Sequence, residues 1–260
     1  MYQIMGILNV TPDSFYDGGR GNVIDHALKL INEGAHIIDV GGESTRPGAK
    51  KVSQQEELDR VIPVISRLAK ESLVKISIDT TKAEVARQAL EVGASIINDV
   101  SGFTMDPAIV KVAAHHKATV ILTHIQGTPR TMQQNPTYQD VVKEVYAFFK
   151  QQLSFALSQG CQFSQFILDP GIGFGKTLEH NLQILNSIDT FLSLECPLLV
   201  GVSRKSFIGK IQNDSDPHQR LSGSLSAAVW AYLKGVTYFR VHDVLETKRA
   251  LNVVKEINSI

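Results

Sequence analysis

The sequence of 260 residues predicts an α/β fold, a single (β/α)8 TIM-barrel domain spanning residues 1–260. Eight short apolar runs recur along the chain, each ending in polar residues, and helical periodicity fills the segments between them. Short runs that are nearly all apolar are typical of strands buried on both faces, and strands that alternate with helices form a parallel sheet. Eight such units in about 250 residues match the count and length of a (β/α)8 barrel. An open doubly wound sheet is the alternative, but it would need fewer strands or an antiparallel edge.

The predicted elements follow one another at regular intervals. The strands are residues 4–9, 36–40, 75–79, 95–99, 118–124, 165–169, 197–203 and 238–242. After the first strand, apolar residues recur on one helical face, and Gly34 ends that helix; Gly93 ends a later helix in the same way. Ser53 and Glu56 have the spacing of a capping box at the start of another helix, which Pro63 should kink or restart.

The overall charge is balanced, with 26 basic and 26 acidic residues, so no global charge favours nucleic acid or an anionic membrane. Cys161 and Cys196 are too few for a disulfide framework and lack the spacing of a metal site, which indicates free thiols in a reducing compartment. No apolar run approaches the roughly 18 residues of a membrane span. The N-terminal stretch MYQIMGILNV lacks the basic start of a signal peptide. We therefore expect a cytoplasmic protein that binds neither nucleic acid nor membrane.

Polar side chains lie at the ends of the predicted strands, where the active site of a (β/α)8 barrel is built. They are Asn9, Asp39, Asp79, Asn98, Asp99, Thr123, His124, Asp169, Ser203, Arg204, Lys205, Ser206, Arg240 and His242. One polar strand end is expected in any barrel, but carboxylates, amides, lysine and arginine converging on one rim indicate a site. Carboxylates and amides suit a flat heterocycle with alternating hydrogen-bond donors and acceptors, whereas lysine and arginine suit an anion or a carbonyl oxygen.

Two glycine-rich loops follow the first two strands. In GGESTRPG, residues 41–48, the glycines let the backbone approach a ligand, Thr45 offers a donor, and Arg46 can fork onto phosphate oxygens. The first loop, NVTPDSFYDGGRG, has the same character, and the two loops could close over a reacting group. The longest insertion, residues 125–140, is also expected at the barrel mouth.

The stretch DPGIGFGKT, residues 169–177, resembles two nucleotide-binding motifs and fits neither. A Walker A loop would need glycine in place of Pro170, and a dinucleotide fingerprint would need glycine in place of Lys176. We interpret the stretch as a glycine-rich rim that lets the chain pass close to a ligand held by Asp169. In VSRKSFIGK, Ser206 stands where a helix would begin; such a helix end, with lysine nearby, suits a carboxylate or phosphate, and a plain N-cap is the alternative.

Motifs at successive strand ends resemble, from about residue 5 to residue 244, those of the dihydropteroate synthase family, pterin-binding barrels of the folate pathway. These motifs are GILNVTPDSFYDGG, IIDVGGESTRPGA, SIDT, INDVSG, LDPGIGFGK, GVSRKSFIG and RVHDV. The resemblance implies a transferase that joins 6-hydroxymethyl-7,8-dihydropterin pyrophosphate to p-aminobenzoate and releases pyrophosphate. It also implies Mg2+ as the cofactor, inhibition by sulfonamides, and a homodimer.

The resemblance further implies a role for individual residues of this sequence. The pterin residues would be Asp79, Asn98, Asp169, Lys205 and Arg240. The pyrophosphate residues would be Asn9, acting through Mg2+, with Thr45, Arg46, Arg240 and His242. The aminobenzoate would lie against Phe15, Pro47 and Lys205, with its carboxylate at Ser206. The catalytic residues would be Asp79, Asp169, Lys205 and, in the closing first loop, Asp13.

One strand end departs from the family pattern. Thr123 and Ile125 stand in ILTHIQG, where the family often has two methionines. Because a buried threonine hydroxyl needs a hydrogen-bond partner, we expect a slightly smaller and more polar wall of the pterin pocket.

The implied chemistry favours a dissociative displacement, since pyrophosphate would leave an electron-rich dihydropterin. Positive charge would develop over Asp79 and Asp169, where carboxylates would stabilise it. Two alternatives stay open at this point. A corrinoid-dependent methyltransferase would not need the ESTRPG stretch, and a non-catalytic pterin-binding relative would have no reason to keep the full set of pyrophosphate residues.

Overall fold

The computed structural model describes residues 2–10, 20–45, 48–49 and 51–259 of the chain. Its eight strands are β1 Gln3–Asn9, β2 Ile37–Gly41, β3 Lys75–Asp79, β4 Ile96–Asp99, β5 Thr119–Thr123, β6 Phe166–Asp169, β7 Leu199–Val200 and β8 Tyr238–Val241. Its helices are α1 Arg20–Glu33, α2 Gln54–Glu71, α3 Ala83–Glu91, α4 Ile109–His116, α5 Val141–Ser158, α6 Leu178–Asn186, α7 Ser206–Gln212, α8 Leu221–Leu233 and α9 Val244–Ile257. In this part of the chain no helix combines the length and apolar character needed to cross a bilayer.

All eight strands run parallel in one sheet, in the order β6, β5, β4, β3, β2, β1, β8, β7. Leu168 of β6 forms a parallel bridge to Leu198, just before β7, and its N–H donates to the Pro197 carbonyl at 2.9 Å. This bridge joins the two edge strands. The predicted (β/α)8 barrel is therefore confirmed, and the open-sheet alternative is wrong.

Most predicted boundaries hold within a residue or two, but β7 does not. The apolar run at residues 197–203 predicts a long strand, whereas only Leu199 and Val200 have strand pairing. The chain leaves the sheet after Val200 and turns at Arg204, whose φ of 56° is left-handed. This turn presents the residues that follow it to the barrel mouth.

The helix signals are confirmed at the glycines and corrected at α2. Gly34 and Gly93 follow their helices with φ of 103° and 121°, a conformation that glycine adopts without steric cost. Ser53 caps α2 by accepting the Glu56 N–H at 3.2 Å. The reciprocal half of the capping box is absent because the Glu56 side chain pairs with Arg60, and Pro63 lies within α2 without restarting it.

Two apolar clusters define the core. The larger cluster packs the outer faces of the strands against the helices. A smaller cluster inside the barrel consists of Met5, Ile37, Ile96, Ile121, Ile167 and Leu199, one residue from each of six strands. Since residues two apart in a strand share a face, the next inward positions toward the carboxyl ends are Ile7, Asp39, Asn98, Thr123, Asp169 and Gly201. The barrel interior thus changes from an apolar floor to a largely polar mouth within one step along the strands.

Candidate active site

A cluster of charged and amide side chains lies above the apolar floor. Arg240 donates from Nε to Asp39 Oδ2 and from Nη2 to Asp79 Oδ2, each at 2.7 Å. Asn98 Nδ2 donates to the same Asp39 oxygen at 3.0 Å. Three predicted pterin residues, Asp79, Asn98 and Arg240, are therefore brought together, with Asp39 as their common partner. Asp39 was predicted among the polar strand ends but was given no individual role, although a lone acid in the apolar run of β2 was a signal for one.

Two carboxylate oxygens of this cluster are buried without a hydrogen-bond partner among the described residues. They are Asp39 Oδ1 and Asp79 Oδ1. Burial raises the pKa of Asp79 to about 7, and Asp39 adds to the rise, while Arg240 opposes it. A buried oxygen without a partner is costly, and an N–H group of a bound heterocycle would satisfy it. Asp79 therefore has one carboxylate oxygen that could accept a further hydrogen bond.

Asp169 holds the glycine-rich rim that follows β6. Its Oδ1 accepts the Gly171 N–H at 2.8 Å, and burial raises its pKa while nearby Lys205 opposes the rise. Gly171 has φ of 71°, and a Cβ there would lie 2.0 Å from the His124 carbonyl oxygen. The rim therefore approaches the end of β5 more closely than a residue with a side chain would allow, and the predicted approach of the rim to a ligand stays a prediction.

Lys176 is a buried residue of this rim whose role sequence reasoning missed. Its Nζ lies 2.9 Å from His124 Nδ1 and 3.0 Å from the Phe174 carbonyl oxygen. Burial lowers the pKa of Lys176 to about 7, and burial with the nearby ammonium lowers the pKa of His124 to about 2. His124 is therefore a neutral acceptor, and Lys176 ties the rim to β5. The insertion after β5 is tied to the same rim, since Gln133 Nε2 donates to the Gly173 carbonyl at 2.8 Å.

Lys205 and Ser206 stand at the start of α7, as predicted. Lys205 is the N-cap residue, so the alternative of Ser206 as a plain N-cap is wrong. The Lys205 ammonium lies 4.1 Å from the centre of the Phe174 ring, a cation–π contact. Burial lowers the pKa of Lys205 to about 8, and Asp169 opposes the fall. A lysine with this pKa keeps most of its charge near neutral pH.

The predicted anion residues share one cavity of about 530 Å³. Six predicted residues line it: Asn9, Thr45, Lys205, Ser206, Arg240 and His242. His242 is held beside β7, because its Nδ1 lies 3.1 Å from Ser203 Oγ and its backbone N–H donates to the same oxygen at 3.2 Å. A second cavity of about 400 Å³ also includes Thr45 and is lined by Asp79.

The loop that bears Thr45 is anchored by buried charges. The Lys82 ammonium contacts the carboxylates of Glu43, in this loop, and Glu57, in α2. Glu43 Oε1 also accepts the Val52 N–H at 3.2 Å, and Arg60 Nη1 donates to the Gly42 carbonyl at 2.7 Å. These contacts hold Gly42 and Glu43, which precede Thr45 in the loop. Four predicted site residues lie outside the described residues: Asp13, Phe15, Arg46 and Pro47.

Comparisons with known proteins agree with this geometry. The model of a family described as pterin binding enzyme matches residues 5–242. A dihydropteroate synthase of Synechocystis sp. is 52% identical over 245 residues, covering 93% of this chain and 85% of the relative. The structure of Yersinia pestis dihydropteroate synthase in a sulfonamide drug complex superposes with a TM-score of 0.95 at 43% identity, covering 100% of this chain and 95% of that one. The Xanthomonas albilineans dihydropteroate synthase with 4-aminobenzoic acid gives a TM-score of 0.94 at 41% identity, covering 100% and 94%. The chain belongs to the pterin-binding enzyme family and, within it, to the dihydropteroate synthases.

Proposed function

We propose that the protein joins 6-hydroxymethyl-7,8-dihydropterin pyrophosphate to p-aminobenzoate, yielding 7,8-dihydropteroate and pyrophosphate. The carbon–oxygen bond to pyrophosphate breaks, a carbon–nitrogen bond to the aniline nitrogen forms, and that nitrogen releases one proton. The observation that carries the proposal is the layer of Asp79, Asn98 and Arg240 beside a cavity lined by cationic residues. This arrangement suits a substrate that combines a heterocycle with an anionic leaving group.

The pterin binds at the carboxylate and amide layer. Asp79 Oδ1 and Asp169 accept N–H groups of the ring, Asn98 and Lys205 contribute hydrogen bonds, and the Arg240 guanidinium stacks on the ring. Support comes from the Asp79 oxygen that has no hydrogen-bond partner, and from the carboxylates of Asp39 and Asp79, which fix the orientation of the Arg240 guanidinium. As the pyrophosphate departs, positive charge develops on the pterin. Asp79 and Asp169 then stabilise that charge with oriented carboxylates, which is the largest contribution in many enzymes.

The pyrophosphate binds in the cationic cavity, with Thr45, Arg46, Arg240 and His242 as its partners. Asn9 is the last residue of β1 and lines the same cavity. Its amide oxygen is the kind of hard ligand that Mg2+ prefers. Mg2+ typically keeps several waters and binds through one or two protein oxygens plus substrate phosphates. Asn9 fits this role, because its exposed amide at the end of β1 lines the cavity in which we place the pyrophosphate. Bound there, Mg2+ supplies positive charge to the leaving pyrophosphate.

The p-aminobenzoate binds against Phe15, Pro47 and Lys205, with its carboxylate at Ser206. The exposed Ser206 and the cavity it shares with Lys205 support this placement. Asp13, in the first loop, completes the site when that loop closes. Sulfonamides compete for the same place, and a cytoplasmic location stays a prediction from the sequence.

A homodimer is supported by one apolar face. Side chains on α6, α7 and α8 are unusually exposed there, namely Leu182, Ile211, Trp230 and Leu233. A cavity of about 460 Å³, lined almost entirely by apolar atoms of these helices, lies among the first three. Exposed apolar patches of this kind mark protein interfaces. A second copy of the chain covers this face.

The decisive test is release of pyrophosphate from the pterin substrate with and without p-aminobenzoate. We expect release that depends on p-aminobenzoate, falls with a sulfonamide and stops with EDTA. Asp79→Ala and Lys205→Ala should each lower kcat/KM by roughly 10²-fold or more, by analogy with lost transition-state donors. Arg67→Ala, which removes an exposed pair with Glu71 on α2, is the matched control and should act like the wild type. Pterin binding without pyrophosphate release would instead support the methyltransferase or non-catalytic alternative.

A further inference from the structure

The hydroxyl of Thr123 is buried at the end of β5 without a hydrogen-bond partner. The residue is 1% exposed, and its Oγ1 contacts no donor or acceptor in the described part of the chain. A buried polar group left without a partner costs about 1–3 kcal/mol. The hydroxyl does not stabilise the fold, since valine has the same branched shape and would fill this position without an unpartnered polar group.

Strand periodicity directs Thr123 into the barrel mouth. Ile121, two residues earlier, belongs to the apolar cluster inside the barrel, so Thr123 points to the same side. In the sheet register Thr123 pairs with Asp169 of β6, and Ile121 pairs with Asn98 of β4. The hydroxyl therefore lies at the level of Asp169 and one inward position above Asn98, both of which we place in the pterin site.

The chemistry of the neighbouring groups shows what the hydroxyl adds. The inward carboxylates of Asp79 and Asp169 accept hydrogen bonds only. One of the two Asn98 amide N–H groups is donated to Asp39, and two Arg240 N–H groups are donated to Asp39 and Asp79. A pterin ring presents acceptor nitrogens and a carbonyl oxygen as well as N–H donors. The Thr123 hydroxyl gives this layer a second neutral donor, in addition to the remaining Asn98 N–H group.

We propose that Thr123 is a pterin-binding residue whose hydroxyl donates a hydrogen bond to an acceptor atom of the ring. The inference rests on the proposed function, because it assigns one more contact in the same site. Thr123 then helps to select rings that carry an acceptor at that position.

Ser77 offers an internal comparison. Its Oγ is also buried without a partner, but Ser77 lies two residues deeper than Asp79 and pairs with Asp39 and with Ile96 of the apolar cluster. It stands on β3, two strands away from Thr123 on β5. Ser77→Ala therefore removes an unpartnered hydroxyl of the same kind without touching the proposed contact.

The experiment measures two quantities on Thr123→Val, Thr123→Ser and Ser77→Ala. One is the melting temperature without ligand, and the other is the Kd for the pterin pyrophosphate by calorimetry without p-aminobenzoate. We expect Thr123→Val to melt at the same or a higher temperature and to bind about 3- to 10-fold more weakly, the effect of one neutral hydrogen bond. Thr123→Ser and Ser77→Ala should bind within about twofold of the wild type.

The outcomes separate the two claims. A wild-type protein that releases no pyrophosphate with p-aminobenzoate would defeat the proposed function itself. An active wild type with unchanged pterin affinity in Thr123→Val would overturn only the role of Thr123. Equal weakening in Thr123→Val and Ser77→Ala would also overturn it, since a general loosening of the interior would then explain both.

Discussion

Replacing Arg204 with glycine should lower enzymatic activity strongly while it changes the stability of the fold only slightly. Arg204 has a left-handed φ of 56°, which costs a residue with a Cβ about 1–2 kcal/mol. The strained turn is held at three points: the Arg204 N–H donates to Ser224 Oγ at 2.9 Å, the Arg204 carbonyl accepts Arg220 Nη1 at 3.1 Å, and the guanidinium pairs with Asp243. A strained conformation that is held by three contacts indicates that the turn serves to position the residues that follow it.

The change in stability has two contributions, the relief of backbone strain at Arg204 and the loss of its ion pair with Asp243. Glycine relieves the strain, a gain of about 1 kcal/mol, and removes the two hydrogen bonds to Asp243 at 3.0 and 2.5 Å. Because the two side chains are 32% and 16% exposed, that pair contributes only about 1 kcal/mol. The net change in unfolding free energy should therefore be under about 1 kcal/mol.

Activity should fall much further. Arg204 precedes Lys205, and Asp243 follows His242, so the ion pair aligns the proposed aminobenzoate and pyrophosphate sites. A displacement of about 1 Å can cost 10²-fold, and we expect kcat/KM to fall by roughly 10-fold or more.

The assay combines urea unfolding with steady-state pyrophosphate release. Asp243→Asn removes the same pair without changing the turn, and the double variant should lose little more than either single variant, because the residues act as a unit. Arg67→Ala is again the control, an arginine–carboxylate pair far from the mouth. Full activity in Arg204→Gly would refute the reasoning, and so would a fall that merely follows lost stability.

Three further predictions concern other parts of the molecule. Lys82→Met should lower the unfolding free energy by roughly 3 kcal/mol, because it leaves the fully buried Glu57 carboxylate without its cation; an unchanged urea midpoint would contradict this. Burial raises the folded-state pKa of Asp79 from 3.8 to about 7, so its contribution to stability is complete below pH 3.8 and lost as the pH rises to about 7. Asp79→Asn should therefore flatten the decline in urea midpoint between about pH 4 and pH 7, and an unaltered decline would show that the carboxyl group does not titrate there. Ile211→Asp should convert a dimer to monomers in light scattering, whereas Leu73→Asp, at an exposed position outside the apolar face, should leave the dimer intact; a monomeric wild type would remove the basis for the homodimer.

The fold was largely predictable because its signals are local. Each apolar run is a strand in the structure, and the glycines at residues 34 and 93 end their helices through a backbone conformation that the residue type itself favours. The length of β7 was not predictable, since apolarity shows that a segment is buried but not whether it pairs. The segment after Val200 stays largely buried while it turns away from the sheet toward Arg204.

The position of the site was predictable, because the carboxyl ends of the strands in a barrel meet at one mouth. What this rule does not give is which side chains contact each other. Asp39 and Arg240 are 201 residues apart in the chain and meet only because β1 pairs with both of their strands. The contact of Lys176 with His124 depends in the same way on strand pairing and on a rim that only glycine permits.

The two faces of the barrel strands divide stability from function. Outward side chains join the large apolar cluster under the helices, where close packing stabilises the fold. Inward side chains near the mouth include a strained turn at Arg204 and unpartnered polar atoms of Asp39, Asp79 and Thr123. Each of these features lowers the stability of the free protein, and each is expected to help bind or align substrate. Substitutions that relieve them should therefore stabilise the protein while they weaken catalysis, whereas substitutions on the outward faces should lower stability and leave the chemistry of the remaining folded molecules unchanged.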